Sequence, residues 1–419
     1  MHRVVGCRVL SFGNVYDIIS KVSLYAIFAG LMLGCAGLPA TGTIGGQTIE
    51  TRVDSEVARY FLTNYVAGRH TDPLLDKRID RIYQKSKGSL PNQQDLKKLS
   101  DEFSVDFAAL YLADRIARVP ANQRFSAIFR ENYEYAREAF PQGQMKMAGA
   151  ADYDVLIVPT YLYKRRFMLT GADLAVPRAA LQKVGFTCYF VETIDDAPIE
   201  TNAEIIMAAI QSRAGSDRRL IVISASKSGP EVALALTKLG PSGTRHVAAW
   251  INAVGALQGT PMVDDKLMPD FELLTGKVNP AGGESMATIP SRRRFALFKI
   301  PRTVLVVNYF GIPTTGSVSF FGRKGYFPLR KYGPNDGSLL LADMIFPGGV
   351  TLPRLGSDHM QMGEHLDIAT VALAMTVIEW LKTHDSISPI PDANIDQDNE
   401  ERAKDSDYDT SIQRAGSSP

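Results

Sequence analysis

The sequence predicts an α/β protein: a mostly parallel sheet with helices on both faces, preceded by a small helical region. Three observations predict it. From Asp154 onward, short continuous apolar runs such as Val155-Leu156-Ile157-Val158 alternate with longer amphipathic segments, the pattern of strands covered on both faces by crossover helices. From Asp54 to about Phe140 the apolar residues recur at helical spacing instead. With 419 residues and 45% hydrophobic content, the chain can hold one large domain plus an accessory region.

At the N-terminus, Lys21 precedes an apolar run from Val22 to Leu33 that ends in Met32-Leu33-Gly34-Cys35 and then Ala36-Gly37-Leu38-Pro39. This resembles a bacterial lipoprotein signal peptide, with Gly34 and Cys35 fitting the lipobox and Met32 and Leu33 departing from it. The competing readings are a short signal anchor or a plain secretory signal. The expectation is therefore a signal peptide over 1–34, lipidation of Cys35, attachment to the membrane through that anchor, and residence in the bacterial cell envelope. The segment before Lys21 is long for such a leader and points to a start further in, for instance at Val15. Cysteines are only Cys7, Cys35 and Cys188, so no internal disulfide or metal cluster is expected, and Cys188 within Gly185–Val191 reads as a core residue. Lys plus Arg (46) against Asp plus Glu (45) leaves +1, which excludes a nucleic-acid partner driven by charge.

Residues 35–52 are rich in Gly and Thr and read as a flexible tether. The helical accessory region covers 53–142. Asp54-Ser55 caps a helix running to about Ala67, ended by Gly68. Asn92-Gln93-Gln94-Asp95 opens a second helix carrying Leu96, Leu99, Phe103, Phe107, Leu110 and Leu112, and Asn122 opens a third with Phe125, Ile128, Phe129 and Tyr133. The region reads either as a small domain of its own or as a layer packed on the α/β part of the chain. His70 reads as a solvated loop residue.

The main domain covers 150–384. Its strands are expected at Val155–Val158, Thr187–Val191, Leu220–Ile223, Val247–Ala253, Thr303–Val307 and Gly349–Leu352, and its helices at Leu174–Val184, Asn202–Ser212, Pro230–Leu239 and Ile368–Leu381. A long insertion separates the fourth and fifth strands and contains Arg292-Arg293-Arg294, which reads as a solvated surface run. Residues 385–419 are rich in Asp, Asn, Ser and Pro and read as a disordered tail.

The chemistry centres on Ser224-Ala225-Ser226-Lys227-Ser228-Gly229-Pro230, where the third strand breaks into small residues and a helix begins at once. A serine on so sharp a strand-to-helix turn needs small neighbours two before and two after it, here Ser224 and Ser228. Its hydroxyl is a weak nucleophile until a histidine, itself oriented by a buried carboxylate, takes its proton.

Three segments carry a resemblance: Ser224 to Gly229, Asn335-Asp336-Gly337, and Gly255-Ala256-Leu257-Gln258-Gly259-Thr260-Pro261 after the fourth strand. Over about Asp154 to Leu381 the chain resembles the α/β-hydrolase superfamily, and within it the lipase and esterase branch. The resemblance implies an α/β-hydrolase-type sheet and the chain order Ser, acid, His. Ser226 is then the nucleophile, Asp336 in Tyr332–Ser338 the acid, and His359 in Leu355–Met360 the base. His365 is the rival base; His2, His70, His246 and His384 fall elsewhere in the chain, and Asp358 is an alternative acid adjacent to His359.

The oxyanion hole would draw one backbone N–H from Lys227 and a second from the loop after the first strand. Pro159 has none to give, so the choice lies between Thr160 and Tyr161, at a place where lipases carry His-Gly. The insertion, about 262–300, would be a lid. Lys164-Arg165-Arg166 reads as a solvated strand end, with an anionic substrate as the other reading.

The expectation is a serine hydrolase cleaving a small-molecule or lipid carboxylic ester through an acyl-enzyme on Ser226, with no cofactor. Thioester or amide cleavage by the same triad is an alternative. So is a non-catalytic envelope interaction protein, supported by the serines flanking the elbow and the missing His-Gly.

Overall fold

The computed structural model describes residues 37–86, 89–143, 145–165, 171–267, 279–361 and 365–384. The signal segment 1–34, Cys35, the middle of the insertion and the tail 385–419 lie outside the described residues.

The described chain opens with a hairpin, β1 (Leu38–Ile44) and β2 (Gln47–Val53), which corrects the expectation of a tether over 35–52. Ala40, Ile44, Ile49 and Val53 alternate with polar residues and are buried on one face. Gly45-Gly46, both at positive φ (58° and 78°), supply the two-residue turn. Beside that turn Gln47 donates to Pro353 O (2.7 Å) and accepts from Leu355 N (3.2 Å).

The helices come next. α1 (Glu56–Thr63) is capped by Ser55, whose hydroxyl accepts from Ala58 N, and a 3-10 turn from Tyr65 leads to Gly68. α2 (Pro73–Lys85) was not anticipated from the sequence; its surface is mostly polar and it buries Ile79 as its one fully enclosed hydrophobe. The single helix expected from Asn92 is two. α3 (Gln93–Glu102) has the Asn92/Asp95 capping box, and Ser104 restarts α4 (Val105–Ala117) by accepting from Phe107 N. α5 (Pro120–Ala139) begins at Pro120, and Asn122 is buried, donating to Ile116 O and accepting from Thr351 N.

Then come β3 (Tyr153–Val158), α6 (Ala175–Lys183), β4 (Thr187–Phe190), α7 (Ile199–Gln211), β5 (Arg219–Ala225), α8 (Ser228–Gly243) and β6 (Val247–Ala253). The insertion holds α9 (Pro261–Asp264), α10 (Pro280–Glu284) and α11 (Thr288–Phe295); residues 268–278 of the expected lid lie outside the described part. β7 (Leu305–Ile312), α12 (Arg323–Leu329), β8 (Val350–Leu355) and α13 (Leu366–His384) complete the chain. The strands form one parallel sheet in the order β4-β3-β5-β6-β7-β8.

Period two sorts the buried strand residues between two layers. Val155, Ile157, Ile221, Ile223 and Val307 face a core with Phe125 and Phe129 of α5 and the apolar stripe of α13. Leu156, Val158, Leu220, Val222 and Val306 face α7 and α8 on the other side. A third cluster joins the hairpin, α1, α3 and α4 to Ala225, Val254, Ala256, Phe310 and Ile312, near the C-terminal ends of the central strands. The N-terminal helices are thus a layer on the main domain, the second of the two readings.

One side chain of the triple arginine departs from expectation. Arg294 is buried, pairs with Glu200 at 2.7 Å and donates to Ser285 O, because the turn of α11 points it inward beside Phe295 while Arg292 and Arg293 stay exposed. Among the described residues no helix is long and apolar enough to cross a membrane, and no group of His, Cys, Asp and Glu could hold a metal ion.

Candidate active site

The strand order reverses between β3 and β5, so the loops leaving their C-terminal ends diverge and leave a crevice. Ser226 stands at that point, on the turn between β5 and α8, with φ of 51°. A non-glycine residue held in the left-handed region is strained, and here the surroundings fix it. Ser226 N donates to Ala253 O at the end of β6, and Ser226 O accepts from Gly229 N and Ala256 N.

Serines replace glycines at the flanks because their hydroxyls are absorbed by polar partners. Ser224 is fully buried and accepts from Trp250 Nε1 (2.9 Å). Ser228 Oγ accepts from Ala225 N (2.9 Å) and lies within hydrogen-bond reach of Ala225 O (2.8 Å) and Val158 O (3.1 Å). The close approach that demands glycine falls one residue later. A Cβ on Gly229 would sit 2.7 Å from Asn252 Oδ1 and 2.8 Å from Gly255 Cα.

The other two candidates meet this serine. His359 Nε2 lies 3.2 Å from Ser226 Oγ, and His359 Nδ1 donates to Asp336 Oδ2 at 2.7 Å. Asp336 is fully buried. Its Oδ1 accepts from Ser338 N (2.9 Å) and Leu339 N (2.7 Å), and its carbonyl accepts from His359 N, so the turn that carries Asp336 also holds His359. Burial pulls the His359 imidazole down, but the charge of Asp336, the hydrogen bond to it and the charge of Asp358 outweigh this, leaving the pKa above its ordinary 6.5.

Asp358, the alternative acid, is engaged elsewhere. It accepts from Ser319 N (2.8 Å) and Met360 N (3.0 Å), tying the chain after β7 to the base loop. Thr260, in the Gly259-Thr260-Pro261 segment, donates to Ser338 O at 2.5 Å and so braces the acid turn from the other side.

His365 stands exposed beside the start of α13; His70 contacts Asp76 and His246 contacts Ile210 O. Cys188 is half-buried, and burial pushes its thiol up to about 11, as befits a core residue and not a nucleophile.

The loop after β3 departs from expectation. Thr160 N–H, one of the two expected backbone donors, is committed to Ala172 O at 2.9 Å. Thr160 reaches the site through its side chain instead, since Lys227 N donates to Thr160 Oγ1 at 3.1 Å. Tyr161 is the next residue, with its ring 6.0 Å from Lys227 Nζ. Arg165, from the basic run, pairs with Asp195 (3.2 Å) and Asp196 (2.8 Å) and ties down the loop that carries Tyr161; Arg166 lies outside the described residues.

The Lys227 side chain was missed from the sequence, where only its N–H was singled out. It is buried with Glu231, to which its ammonium donates, and Asn202 Nδ2 donates to the same carboxylate oxygen at 2.9 Å. Its signal is the i,i+4 Lys–Glu spacing across the start of α8, amid small and apolar residues. Burial raises the Glu231 pKa against the opposing pull of Lys227.

No protein-family model matches the chain, and no curated protein matches it in sequence. Solved structures do resemble it. A metagenomic carboxyl esterase superposes with a TM-score of 0.46 at 20% identity, covering 57% of this chain and 77% of that one. The mature form of a Bacillus licheniformis lipase gives 0.44 at 18%, covering 57% and 95%. Lipase 1 from Pelosinus fermentans gives 0.36 at 12%, covering 57% and 100%. A parallel six-stranded sheet, a strained Ser226 elbow at its switch point, and the chain order Ser226, Asp336, His359 give this chain the α/β-hydrolase fold.

Proposed function

We propose that the chain is a serine hydrolase that cleaves a carboxylic ester through an acyl-enzyme on Ser226. One observation carries the reading: a single imidazole spans Ser226 Oγ (3.2 Å) and the buried Asp336 carboxylate (2.7 Å), with Ser226 held at a φ of 51°. His359 takes the serine proton as Ser226 Oγ attacks the acyl carbon. Asp336 stabilises the resulting imidazolium, which then protonates the departing alkoxide. Water, deprotonated by the same histidine, releases the acyl group.

The developing oxyanion would accept from Lys227 N–H in place of Thr160 Oγ1, with a second donor from the β3 loop, either the Thr160 hydroxyl turned toward it or Tyr161 N–H. Thioester or amide cleavage uses the same parts; a substrate panel separates them. Envelope residence and lipidation of Cys35 rest on the N-terminal sequence, and incorporation of labelled fatty acid that Cys35→Ala abolishes would support them.

The direct test is a fluorophosphonate probe. Labelling of the folded protein, lost in Ser226→Ala, supports the proposal. Absence of labelling in folded protein overturns it in favour of a hydrolase-like scaffold without catalysis. Acyl esters of graded chain length then define the pocket.

A further inference from the structure

The segment between β7 and the acid turn is unusual for a surface. Phe320 is 74% exposed, Phe321 59% and Phe327 38%, and the first two rings pack edge to face at 5.6 Å. Large apolar side chains clustered in water mark a surface that something covers. From Pro313 to Asn335 the chain carries four cations (Arg323, Lys324, Arg330 and Lys331) and no carboxylate. Arg330 is paired with Asp54 at 2.6 Å and Lys331 with Asp265 at 2.9 Å. Arg323 and Lys324 stand exposed at the start of α12, directly after the two phenylalanines.

The patch is fixed to the site. Ser319 N donates to Asp358 Oδ2 at 2.8 Å, next to His359. Gly322 lies against the same carboxylate: a Cβ there would be 2.3 Å from Asp358 Oδ2. Gly337, beside Asp336, is packed on the other side of Gly322, where its own Cβ would meet Gly322 O at 2.8 Å. Whatever the phenylalanines enter is therefore held beside the base and the acid.

We propose that Phe320, Phe321 and Phe327, with Arg323 and Lys324, form a docking surface for an anionic phospholipid membrane, which presents lipid esters to Ser226. The proposal rests on the ester-hydrolase reading for its purpose but not for its test. Aromatic rings enter the interface and basic residues gather anionic headgroups, so partition grows with both terms. The absence of carboxylates between 313 and 335 fits a negatively charged partner rather than a second copy of a chain with net charge +1.

The test uses the full chain with Phe320→Trp as a reporter. Both native tryptophans, Trp250 and Trp380, are buried, so the introduced indole reports the patch alone. Vesicles of phosphatidylcholine with phosphatidylglycerol should shift its emission to the blue, and brominated lipid should quench it. Phosphatidylcholine alone should bind far less, and salt should weaken the anionic preference. Adding Arg323→Ser and Lys324→Ser should lower the anionic partition ~30-fold while leaving turnover of a soluble short-chain ester unchanged. Ser226→Ala should bind vesicles like the parent, so a failure of docking and a failure of catalysis are read separately.

A control with Leu74→Trp, on the exposed side of α2, should remain unquenched. Absence of a shift, equal partition into the two vesicle types, or equal quenching at position 74 would overturn the proposal. So would a shift that appears with rising protein concentration in the absence of lipid, which would assign the patch to a second copy.

Discussion

Replacing Asp336 by Asn changes one atom, and the structure sets its consequence. Asp336 Oδ1 accepts two turn N–H groups, from Ser338 and Leu339, and an amide oxygen can accept them equally. The other oxygen receives His359 Nδ1–H at 2.7 Å, and there the amide offers N–H against N–H. The imidazole escapes that clash by moving its proton to Nε2, which faces Ser226 and can then no longer take the serine proton. A wrong tautomer in this arrangement lowers kcat about 10⁴-fold, or about 5.5 kcal/mol of transition-state stabilisation.

The pH profile gives an independent reading. His359 must be neutral to act as base, and its pKa is raised, so wild-type kcat/KM should fall as pH drops from a limb above 6.5. Asn removes a charge that holds that value up, and the residual activity should show its acid limb at lower pH. The assay is turnover of a soluble ester from pH 5 to 9, with thermal melting to verify that the turn survives. A variant within tenfold of wild type, or an acid limb that does not move, would refute the assignment of Asp336.

Three further outcomes rest on the same geometry. Gly229→Ala should cost about 1–3 kcal/mol, read as a lower urea midpoint at unchanged slope, because its Cβ would meet the buried Asn252 side chain of β6 and the backbone of Gly255. Ser228→Gly, which restores the residue usual at an elbow, should destabilise by about 1–3 kcal/mol, since it strips a buried hydroxyl from Ala225 N. Glu231→Ala should cost about 3–5 kcal/mol by leaving the Lys227 ammonium buried without its partner, as thermal or urea unfolding would show. A fourth outcome concerns pH. Burial first, and the charge of Asp54 second, push Asp106 up to about 7 despite hydrogen bonds from Tyr326 and Thr315 and the charge of Arg330. Between about pH 4 and 7 the folded chain then holds a proton that the unfolded chain has released. Stability contributed by this group should therefore fall as pH rises through that window and stay level above it, and Asp106→Asn should flatten the slope.

What was legible in the sequence was what period and order encode. Strands buried on both faces, such as Leu220–Ile223, are continuous apolar runs whatever the rest of the fold does, and the order of Ser226, Asp336 and His359 needed only those strands as a ruler. What escaped was set by tertiary contact or hidden by composition. The β1–β2 hairpin has a Gly-Gly turn between alternating residues, but its threonines and glycines carry the composition of a linker. α2 has too thin an apolar stripe to stand out, and the break at Phe103 depends on Ser104, one cap inside a continuous helical pattern. Arg294 reads as surface until Glu200 is seen beside it. Thr160 reads as an N–H donor from its place after the first strand, whereas in the fold Ala172 takes that N–H and the hydroxyl meets Lys227.

The serines at the elbow bear on how the site is held in shape. A glycine at position 228 would remove one polar tie between the Ser226 turn and the end of β3. Ser228 Oγ reaches Val158 O, two residues before Thr160, while also bonding the backbone of Ala225. Lys227 N–H reaches Thr160 Oγ1, and the Lys227 ammonium is held through Glu231 to Asn202, whose side chain in turn bonds both the N–H and the carbonyl of Ile194. Leu162 N donates to Asp195 O next to Ile194, which closes the circuit back to the β3 loop. Lys227 and the loop across the crevice are therefore fixed relative to each other by polar bonds in a buried setting, where such bonds are strong and their loss costly. The absent His-Gly sequence and the absent flanking glycines are thus coupled departures: a loop that presents a threonine hydroxyl to Lys227 is paired with an elbow whose serine anchors that loop.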